Sequence, residues 1–377
     1  MIQSRAALLT AGMIRAVAKG GNSMRFMHIA DVHLGAAPDH GYLWAKDRGR
    51  ELWESFRRCI SDANEKKADL LLIAGDLFHR QPEPQELAEV NYLFSTLERT
   101  VVVLMAGNHD YLKPSSPYLN FPWNENVVCM FAQQCERVRL PELKTEIYGF
   151  SYYRQEITEP LYDELAAEQS EYFKILLAHG GDADHIPMNK DRLASSGFDY
   201  IALGHIHRPQ VYIRNLAMYA GALEPVDCGD TGPHGYIIGD VKRNKVRLSF
   251  VDTATRQYRN EEVIVTEADT VYSVREKIAS VVRSCGEQHT YRIILKGERH
   301  PRFRPDIREY MKCGRILEVV DRTVPAFHLD ELHRRYRGQL IGNYIESFGD
   351  GERSLIEEKA LRYGLEALLY PEERGGR

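Results

Sequence analysis

The sequence predicts an α/β protein, and two observations lead to that prediction. Short apolar runs of four to six residues, almost free of charge, recur along the chain, as expected for strands buried on both faces. The stretches between the first runs carry apolar residues at every third or fourth position, as expected for helices with one buried face. Strands that alternate with such helices favour an α/β fold.

The predicted elements follow in chain order. Buried strands are expected at 26–30, 70–74, 101–106, 175–178 and 200–203, with helices at 48–67 and 86–97. Residues 211–220 and 236–251 have the pattern of strands, the latter with a hairpin turn at 240–245. These later strands suggest a second sheet stacked on the first.

The pattern restarts after a polar stretch at 253–260, which is a plausible domain boundary. A strand at 262–265, an amphipathic helix at 271–285 and strands at 291–295 and 316–320 follow. Helices at 329–348 and 355–369 are joined by a glycine-containing turn. The predicted organisation is a leader at 1–23, a main domain at 24–253, a small α/β domain at 257–326 and C-terminal helices at 329–370.

The leader, residues 1–23, is expected to be unstructured and to precede a fold that begins at Arg25. It is basic and contains a short apolar piece followed by Ala16-Val17-Ala18, which resembles a signal-peptide cleavage site. Arg15 interrupts the apolar piece just before that site, which disfavours secretion.

Composition excludes several classes of protein. The chain has 377 residues, 44% hydrophobic and 27% charged, which is ordinary for a globular protein of two or three domains. Six cysteines occur without a CxxC pair, which gives no disulfide framework or zinc site and favours the cytoplasm. No apolar run approaches the ~20 residues that span a bilayer. The net charge of −5, taken alone, argues against nucleic-acid binding.

Residue types that bind metals follow all five buried runs at their carboxyl ends, the edge where open α/β sheets bind ligands. Strand alternation would point Asp31 with His33, and His205 with His207, to one face. One Asp after a strand is usually a turn or cap residue, so the prediction depends on the joint occurrence. His28, within an apolar strand, is expected to be a core residue. The candidate ligands are Asp31, His33, Asp76, Asn108, His179, His205 and His207.

Seven donors exceed the need of one ion, so two ions are predicted. A carboxylate such as Asp76 can bridge two metals, and two metals ~3.5–4 Å apart act together in phosphoryl displacement. A mixed set of imidazole, carboxylate and amide donors suits manganese, iron or zinc.

Five motifs together resemble the calcineurin-like metallophosphoesterase superfamily: Asp31-x-His33, Gly75-Asp76, Gly107-Asn108-His109-Asp110, His179 and Gly204-His205-x-His207. The resemblance implies a four-layer αββα sandwich with two stacked mixed sheets. It implies one metal held by Asp31, His33, Asp76 and His207, and another held by Asp76, Asn108, His179 and His205. It also implies that His109 faces the substrate, as general acid or as stabiliser of the charged transition state.

Three further features resemble the SbcD-type DNA-repair nucleases, the meiotic-recombination-eleven nuclease family. They are Gly75-Asp76-Leu77-Phe78-His79, the segments 221–227 and 232–236, and a small α/β domain after the catalytic core. The resemblance implies that His79 lies at the edge of the site and handles the DNA strand, the alternative being an incidental loop histidine. It implies Mn²⁺ as the favoured metal, a homodimer, and a small domain that contacts DNA.

The small domain supports that resemblance by its charge. Residues 291–338 carry twelve Lys/Arg against seven Asp/Glu, a local excess of +5 in an acidic chain. Arg299, Arg302 and Arg304 lie in a segment that could follow a phosphate backbone, although a solvated surface loop is the alternative for each.

The last helix has an apolar stripe that packs either on the chain's own core or, as the resemblance implies, on the coiled coil of an SMC-like ABC ATPase of the SbcC kind. The sequence contains no P-loop, so ATP-driven function would need such a partner. The leading hypothesis is a manganese-dependent, two-metal DNA nuclease, and the resemblance implies 3′-to-5′ exonuclease and endonuclease activity in double-strand-break repair. The alternatives are a phosphoesterase for small molecules or phosphoproteins and a scaffold for DNA and the ATPase.

Overall fold

The computed structural model describes residues 23–349 and 351–370. The chain divides after Gln257 into two compact units. Residues 1–22 of the predicted leader lie outside the described residues. Ser23 and Met24 already belong to the first strand, where they pair with Lys242 and Val241, so this strand includes two residues that precede the predicted start at Arg25.

The first unit consists of two sheets with helices outside them. Its helices are α1 (Ala45–Glu65), α2 (Pro84–Ser95) and α3 (Lys190–Ala194). Its strands are β1 (Ser23–Ile29), β2 (Leu70–Ala74), β3 (Val101–Met105), β4 (Val127–Cys129), β5 (Glu136–Leu140), β6 (Thr145–Gly149), β7 (Phe173–His179), β8 (Tyr200–Gly204), β9 (Gln210–Ile213), β10 (Ala217–Tyr219), β11 (Gly235–Lys242) and β12 (Lys245–Asp252).

The first sheet has the order β12-β11-β1-β2-β3-β4. β1 to β4 are parallel, and β2 and β3 are buried along their whole length, which explains their uncharged sequences. The hairpin β11–β12 joins this sheet antiparallel to β1. Its placement in a second sheet was therefore a wrong prediction: the apolar side chains of Ile237 and Val241 pack in the core beside β1.

The second sheet has the order β5-β6-β7-β8-β10-β9, with β6, β7 and β8 parallel. The two sheets share one apolar core, in which the rings of Phe26 and Tyr200 lie 4.9 Å apart. His28 is fully buried there, as predicted, with its Nδ1 2.9 Å from the Tyr200 hydroxyl. This shared core stabilises the unit, because each sheet covers the inner face of the other.

Outer layers complete the αββα sandwich, which confirms the predicted fold class. α1 and α2 cover the first sheet through residues such as Phe56, Ile60 and Leu87. The second sheet is covered by the short α3 and by aromatic side chains of its loops, including Phe150 and Tyr162, whose rings stack at 4.7 Å.

The second unit has parallel strands covered by helices. β14 lies between β13 and β15 and also pairs with β16. α4 packs Val274, Ile278 and Val282 into the core after a capping box formed by Thr270 and Ser273. The elements are β13 (Tyr258–Val265), α4 (Val271–Cys285), β14 (Thr290–Arg299), α5 (Ile307–Tyr310), β15 (Ile316–Asp321), β16 (Val324–Pro325), α6 (Leu329–Arg335), α7 (Leu340–Glu346) and α8 (Leu355–Leu369).

The single helix predicted at 329–348 is two helices, α6 and α7. Gly338 lies between them with a φ of +72°, a left-handed conformation that ends a right-handed helix and that glycine adopts without strain. Within residues 23–349 and 351–370, every helix is too short or too polar to cross a bilayer.

Candidate functional site

The predicted ligands of the first unit lie in loops just beyond the strands, except His179, which is the last residue of β7. β1 ends at Ile29 and β8 at Gly204. Asp31, His33, Asp76 and His205 have φ values of 51°, 50°, 50° and 97°. The prediction that strand alternation orients Asp31 with His33, and His205 with His207, was therefore wrong, because a left-handed backbone replaces the extended one at Asp31, His33 and His205. Such conformations cost about 1–3 kcal/mol each and persist only where the surroundings enforce them.

Hydrogen bonds between neighbouring loops enforce them here. The Asp31 N–H donates to the Gly75 carbonyl (3.2 Å) and the His33 N–H to the Asp76 carbonyl (3.1 Å). The Asp31 carboxylate accepts the His205 N–H at 2.9 Å. The Asp76 carboxylate accepts the N–H of His109 at 2.8 Å. Each acidic side chain thus ties its own loop to the loop after another strand.

Two glycines allow the loops to approach this closely. A Cβ on Gly107 would lie 2.3 Å from the Asp76 Oδ1, and a Cβ on Gly204 would lie 2.0 Å from the Ala74 carbonyl oxygen. Any larger residue would push the strand ends apart.

The first group of donors is Asp31, His33 and His207, whose ligand atoms all lie within 4.8 Å of one another. The Nε2 atoms of His33 and His207 are 2.9 Å apart. Two imidazole lone pairs at that distance repel unless a proton or a cation lies between them, so this arrangement fits a metal.

The second group surrounds His179. Asp31, Asp76 and His179 form a buried cluster, with the His179 Nε2 3.4 Å from the Asp76 carboxylate. The Asn108 Oδ1 lies 2.8 Å from the His179 Nε2 and 3.2 Å from the His205 Nδ1. Asp76 also lies 3.9 Å from the His33 Nε2. It therefore stands between the two groups, where a bridging ligand would be needed.

The electrostatics of the cluster favour cations. Burial raises the pKa of Asp31 to about 6. Burial also opposes ionisation of Asp76, but the charge and hydrogen bond of His179 hold the Asp76 pKa well below its usual range. The pKa of His179 rises to about 9, against the effect of burial, because of Asp76. Two buried carboxylates that lie close together among histidines strongly attract divalent ions.

His79 and His109 form one edge of the site. Their rings stack with centroids 4.8 Å apart, and with His33 they bring ligand atoms within 4.8 Å of one another. The His109 Nδ1 lies 3.1 Å from the His79 carbonyl oxygen. Because a carbonyl can only accept, the proton is assigned to Nδ1, which leaves Nε2 of His109 for a substrate.

Three acidic residues that shape the site were not among the predicted site residues. Asp110 ends the Gly107–Asp110 motif, and its buried carboxylate accepts the N–H groups of Gly107 and Phe78 and the hydroxyl of Tyr118. Asp182 and Asp230 touch His205 and His207, respectively. Asp230 lies 23 residues beyond its histidine, so no local spacing could reveal it.

The three arginines predicted to contact DNA differ from one another in exposure and in their partners. Arg299 is 7% exposed, and its guanidinium pairs with Glu366 at 3.0 and 3.1 Å. This geometry corrects the prediction for Arg299, since a buried and ion-paired side chain cannot follow a phosphate backbone. Arg304 also contacts Glu366, but it is half-exposed. Arg302 is exposed and lies over the ring of Tyr370.

Comparisons with known proteins agree with this geometry. A family model described as calcineurin-like phosphoesterase matches residues 24–209. The DNA double-strand break repair protein Mre11 of Methanocaldococcus jannaschii is 30% identical over 358 residues, 90% of this chain and 94% of the relative.

Two bacterial relatives are also similar. An uncharacterized metallophosphoesterase, YhaO of Bacillus subtilis, is 28% identical over 73% of this chain and 72% of its own length. The SbcD component of the nuclease SbcCD of Staphylococcus epidermidis is 22% identical over 68% of this chain and 76% of its own length. The chain therefore belongs to the calcineurin-like metallophosphoesterases, within their Mre11/SbcD-type branch.

Proposed function

We propose that this protein is a two-metal nuclease that hydrolyses phosphodiester bonds at DNA ends, by 3′-to-5′ exonuclease and endonuclease cleavage, in double-strand-break repair. The observation that carries the proposal is the meeting of seven donors from five strand ends, with facing ring nitrogens 2.9 Å apart and Asp76 between the two groups. Relatives named as Mre11 and as part of the nuclease SbcCD support DNA as the substrate.

The donors form two groups, one for each metal ion. Asp31, His33 and His207 would hold one ion, and His179, His205 and Asn108 the other, with Asp76 between them. The donor types fit Mn²⁺, which we propose as the working metal. When bound, the ions would supply an activated water and neutralise charge on the phosphate.

His109 would act on the substrate directly. Its Nδ1 is fixed by the His79 carbonyl, which leaves Nε2 toward the substrate. When Nε2 also carries a proton, in the imidazolium form, it can give that proton to the departing oxygen or donate it in a hydrogen bond to a charged phosphoryl oxygen. Partial burial and the neighbouring His109 lower the pKa of His79, which disfavours the cationic form of its ring. We therefore assign His79 a hydrogen-bonding contact to the strand rather than a cationic one.

Helix α8 supports the proposal of an SMC-like ATPase partner of the SbcC kind. Leu361 and Leu365 are buried in the unit's own core, which accounts for part of the apolar stripe. Leu355 and Ile356 are more than 80% exposed, and a coiled coil is a suitable partner for such a helix face. Double substitution of Leu355 and Ile356 by Asp is expected to abolish capture by the ATPase coiled coil and to leave nuclease activity intact.

We further propose a cytoplasmic homodimer. α1 or α2 would supply its interface, and α2 exposes the large aromatic side chain of Tyr92 at 65%. Sedimentation of the wild type and of Tyr92→Glu tests the dimer, which the substitution should weaken.

The substrate assignment is tested by comparing duplex DNA ends with bis(4-nitrophenyl) phosphate under Mn²⁺. A DNA nuclease should shorten the duplex from its ends and should lose that activity when Mn²⁺ is chelated. Hydrolysis of the small ester without cleavage of DNA would instead support a small-molecule phosphodiesterase. Break repair in cells by an Asp76→Ala, His109→Ala variant would support a scaffold.

A further inference from the structure

The two histidines of the 205–207 motif turn opposite ring nitrogens toward the candidate metal centre. His207 directs Nε2 at His33, while its Nδ1 lies 2.9 Å from the Asp230 carboxylate. His205 is reversed, with Nδ1 toward Asn108 and Nε2 2.7 Å from the Asp182 carboxylate. Each ring therefore has one nitrogen within the donor set and the other against a carboxylate outside it.

The Asp230 carboxylate is held by its own loop. Its Oδ2 accepts the N–H groups of Val226 and Asp227, both at 3.0 Å, in addition to its contact with His207. The side chain is only 14% exposed. A carboxylate fixed by two backbone donors cannot follow the imidazole if that ring rotates, so it holds the ring in one orientation.

Helix α1 anchors the chain just before that loop. The buried guanidinium of Arg48 donates to the Pro225 carbonyl, and the Ser55 hydroxyl donates to the buried Glu224 carboxylate. The N–H of Thr255 donates to the same carboxylate. This buried network connects the segment that precedes Asp230 to helix α1.

Asp182 is the less constrained of the two carboxylates. Its side chain is 47% exposed, and its Oδ1 accepts the N–H groups of Asp184 and His185 as well as lying 2.9 Å from the His185 ring. It is fixed mainly by a local turn, so its hold on His205 should be weaker than that of Asp230 on His207.

We propose that Asp230 and Asp182 are positioning residues that select which nitrogen of His207 and His205 coordinates metal. A carboxylate accepts a ring N–H, so Asp230 places the proton on Nδ1 of His207 and Asp182 places it on Nε2 of His205. The lone pairs of the opposite nitrogens then face the site. Such outer partners fix the tautomer and the ring orientation of metal-binding histidines. The inference rests on the proposed two-metal function and deepens it.

Calorimetric titration of the metal-free full-length chain with Mn²⁺ tests the inference. Asp230→Ala should weaken Mn²⁺ binding about 10- to 100-fold, the usual effect of removing such a partner, and Asp182→Ala should have a smaller effect. The matched controls are Asp227→Asn, which keeps the acceptor for the Gly229 N–H, and the exposed Asp184→Asn. Both should bind Mn²⁺ like the wild type.

Nitrogen NMR of the histidine-labelled, Zn²⁺-loaded chain shows which ring nitrogen carries the proton. This quantity would not change if Asp230 and Asp182 only stabilised the fold. The wild type should show the proton on Nδ1 of His207 and on Nε2 of His205, and Asp230→Ala should lose the preference at His207 only. Asp230→Asn, which retains an acceptor oxygen, should restore the tautomer in part.

The outcomes separate the two proposals. Unchanged Mn²⁺ affinity and tautomer in Asp230→Ala, with a wild type that binds Mn²⁺, would overturn this inference alone. A third Mn²⁺ in the wild type that is lost in Asp182→Ala would overturn the role of Asp182, because Asp182, His185 and His205 would then be ligands of a separate ion. A wild type without any Mn²⁺ binding would overturn both the inference and the proposed function.

Discussion

The strand ends of the first unit and the β14–α8 region of the second unit bury charge in opposite ways. At the strand ends, the buried carboxylates of Asp31 and Asp76 face histidines. In the second unit, the Glu366 carboxylate accepts hydrogen bonds from two guanidinium nitrogens of the buried Arg299. A bidentate arginine–carboxylate pair neutralises itself, whereas carboxylates among imidazoles leave negative charge and lone pairs for a cation. Negative charge left unpaired among imidazoles thus indicates a ligand site, whereas a closed arginine–carboxylate pair indicates a contact that stabilises the fold.

The first unit also contains a network of paired charges, which shows that the contrast concerns sites rather than units. Glu51 of α1 lies between the buried Arg48 and Arg256. The Asp39 carboxylate, 3.5 Å from the Arg48 Nε, supplies the second negative charge. Although burial opposes it, hydrogen bonds from Arg256 and Arg48 lower the pKa of Glu51. Arginines beside a carboxylate thus mark structural burial in both units.

The largest expected effect comes from replacing His109, which with His79 forms one edge of the candidate site. His109→Asn should reduce DNA hydrolysis about 10²- to 10⁴-fold, the usual contribution of a positioned general acid. Mn²⁺ binding should not change, because the Nδ1 of His109 is engaged by a carbonyl rather than by the donor set. Single-turnover cleavage and Mn²⁺ titration measure the two effects.

His40→Asn is the matched control for that experiment, since His40 is an exposed histidine of the same unit. A loss of bound Mn²⁺ in His109→Asn would contradict the assignment and would make His33, His79 and His109 a metal-binding group.

The next effect comes from breaking the paired charges of the second region. Glu366→Ala leaves Arg299 buried without its carboxylate and should destabilise the second unit by about 3 kcal/mol, the lower end for breaking a buried pair, because the Pro301 and Phe303 carbonyls remain near the guanidinium. Hydrogen exchange measured by mass spectrometry should show faster exchange in β14 and α8. Exchange in β1 to β3 should be unchanged.

Lys359→Ala, exposed on the same helix, controls for effects on helix propensity. Equal exchange rates in β14 for Glu366→Ala and Lys359→Ala would show that the Arg299 pair does not support the fold.

The smallest effect is expected at the exposed arginine of the second unit. Arg302→Ala should weaken DNA binding a few-fold, equally for all sequences, and should reduce the salt slope of binding by about 1, as expected for one phosphate contact. Binding to labelled duplex at several salt concentrations measures this change. An unaltered slope would assign Arg302 to stacking on Tyr370 alone.

The sequence predicted the buried strands well because their uncharged apolar runs have few other uses in a globular chain. It failed for the β11–β12 hairpin, since strand pairing across about 200 residues leaves no local signal. It also suggested the wrong reason for the convergence of Asp31 with His33. Their left-handed backbone depends on hydrogen bonds to the loop after β2, which is a tertiary effect.

The candidate site, like the fold, could be predicted only in part from the sequence. The donors follow buried strands and could be predicted as a set. Asp182 and Asp230, which touch only the outer nitrogens of His205 and His207, have no pattern that distinguishes them from surface acids. The burial of Arg299 was hidden for the same reason, because its partner Glu366 lies 67 residues away.

The central claim is that the strand ends hold two divalent ions with Asp76 between them, and Mn²⁺ stoichiometry tests it most directly. Equilibrium binding should give about two Mn²⁺ per wild-type chain, as a two-metal phosphoesterase requires. Asp76→Asn should lose at least one of them while keeping the wild-type circular dichroism spectrum. A wild-type chain that binds no Mn²⁺, or an Asp76→Asn variant that binds it as the wild type does, would contradict the account.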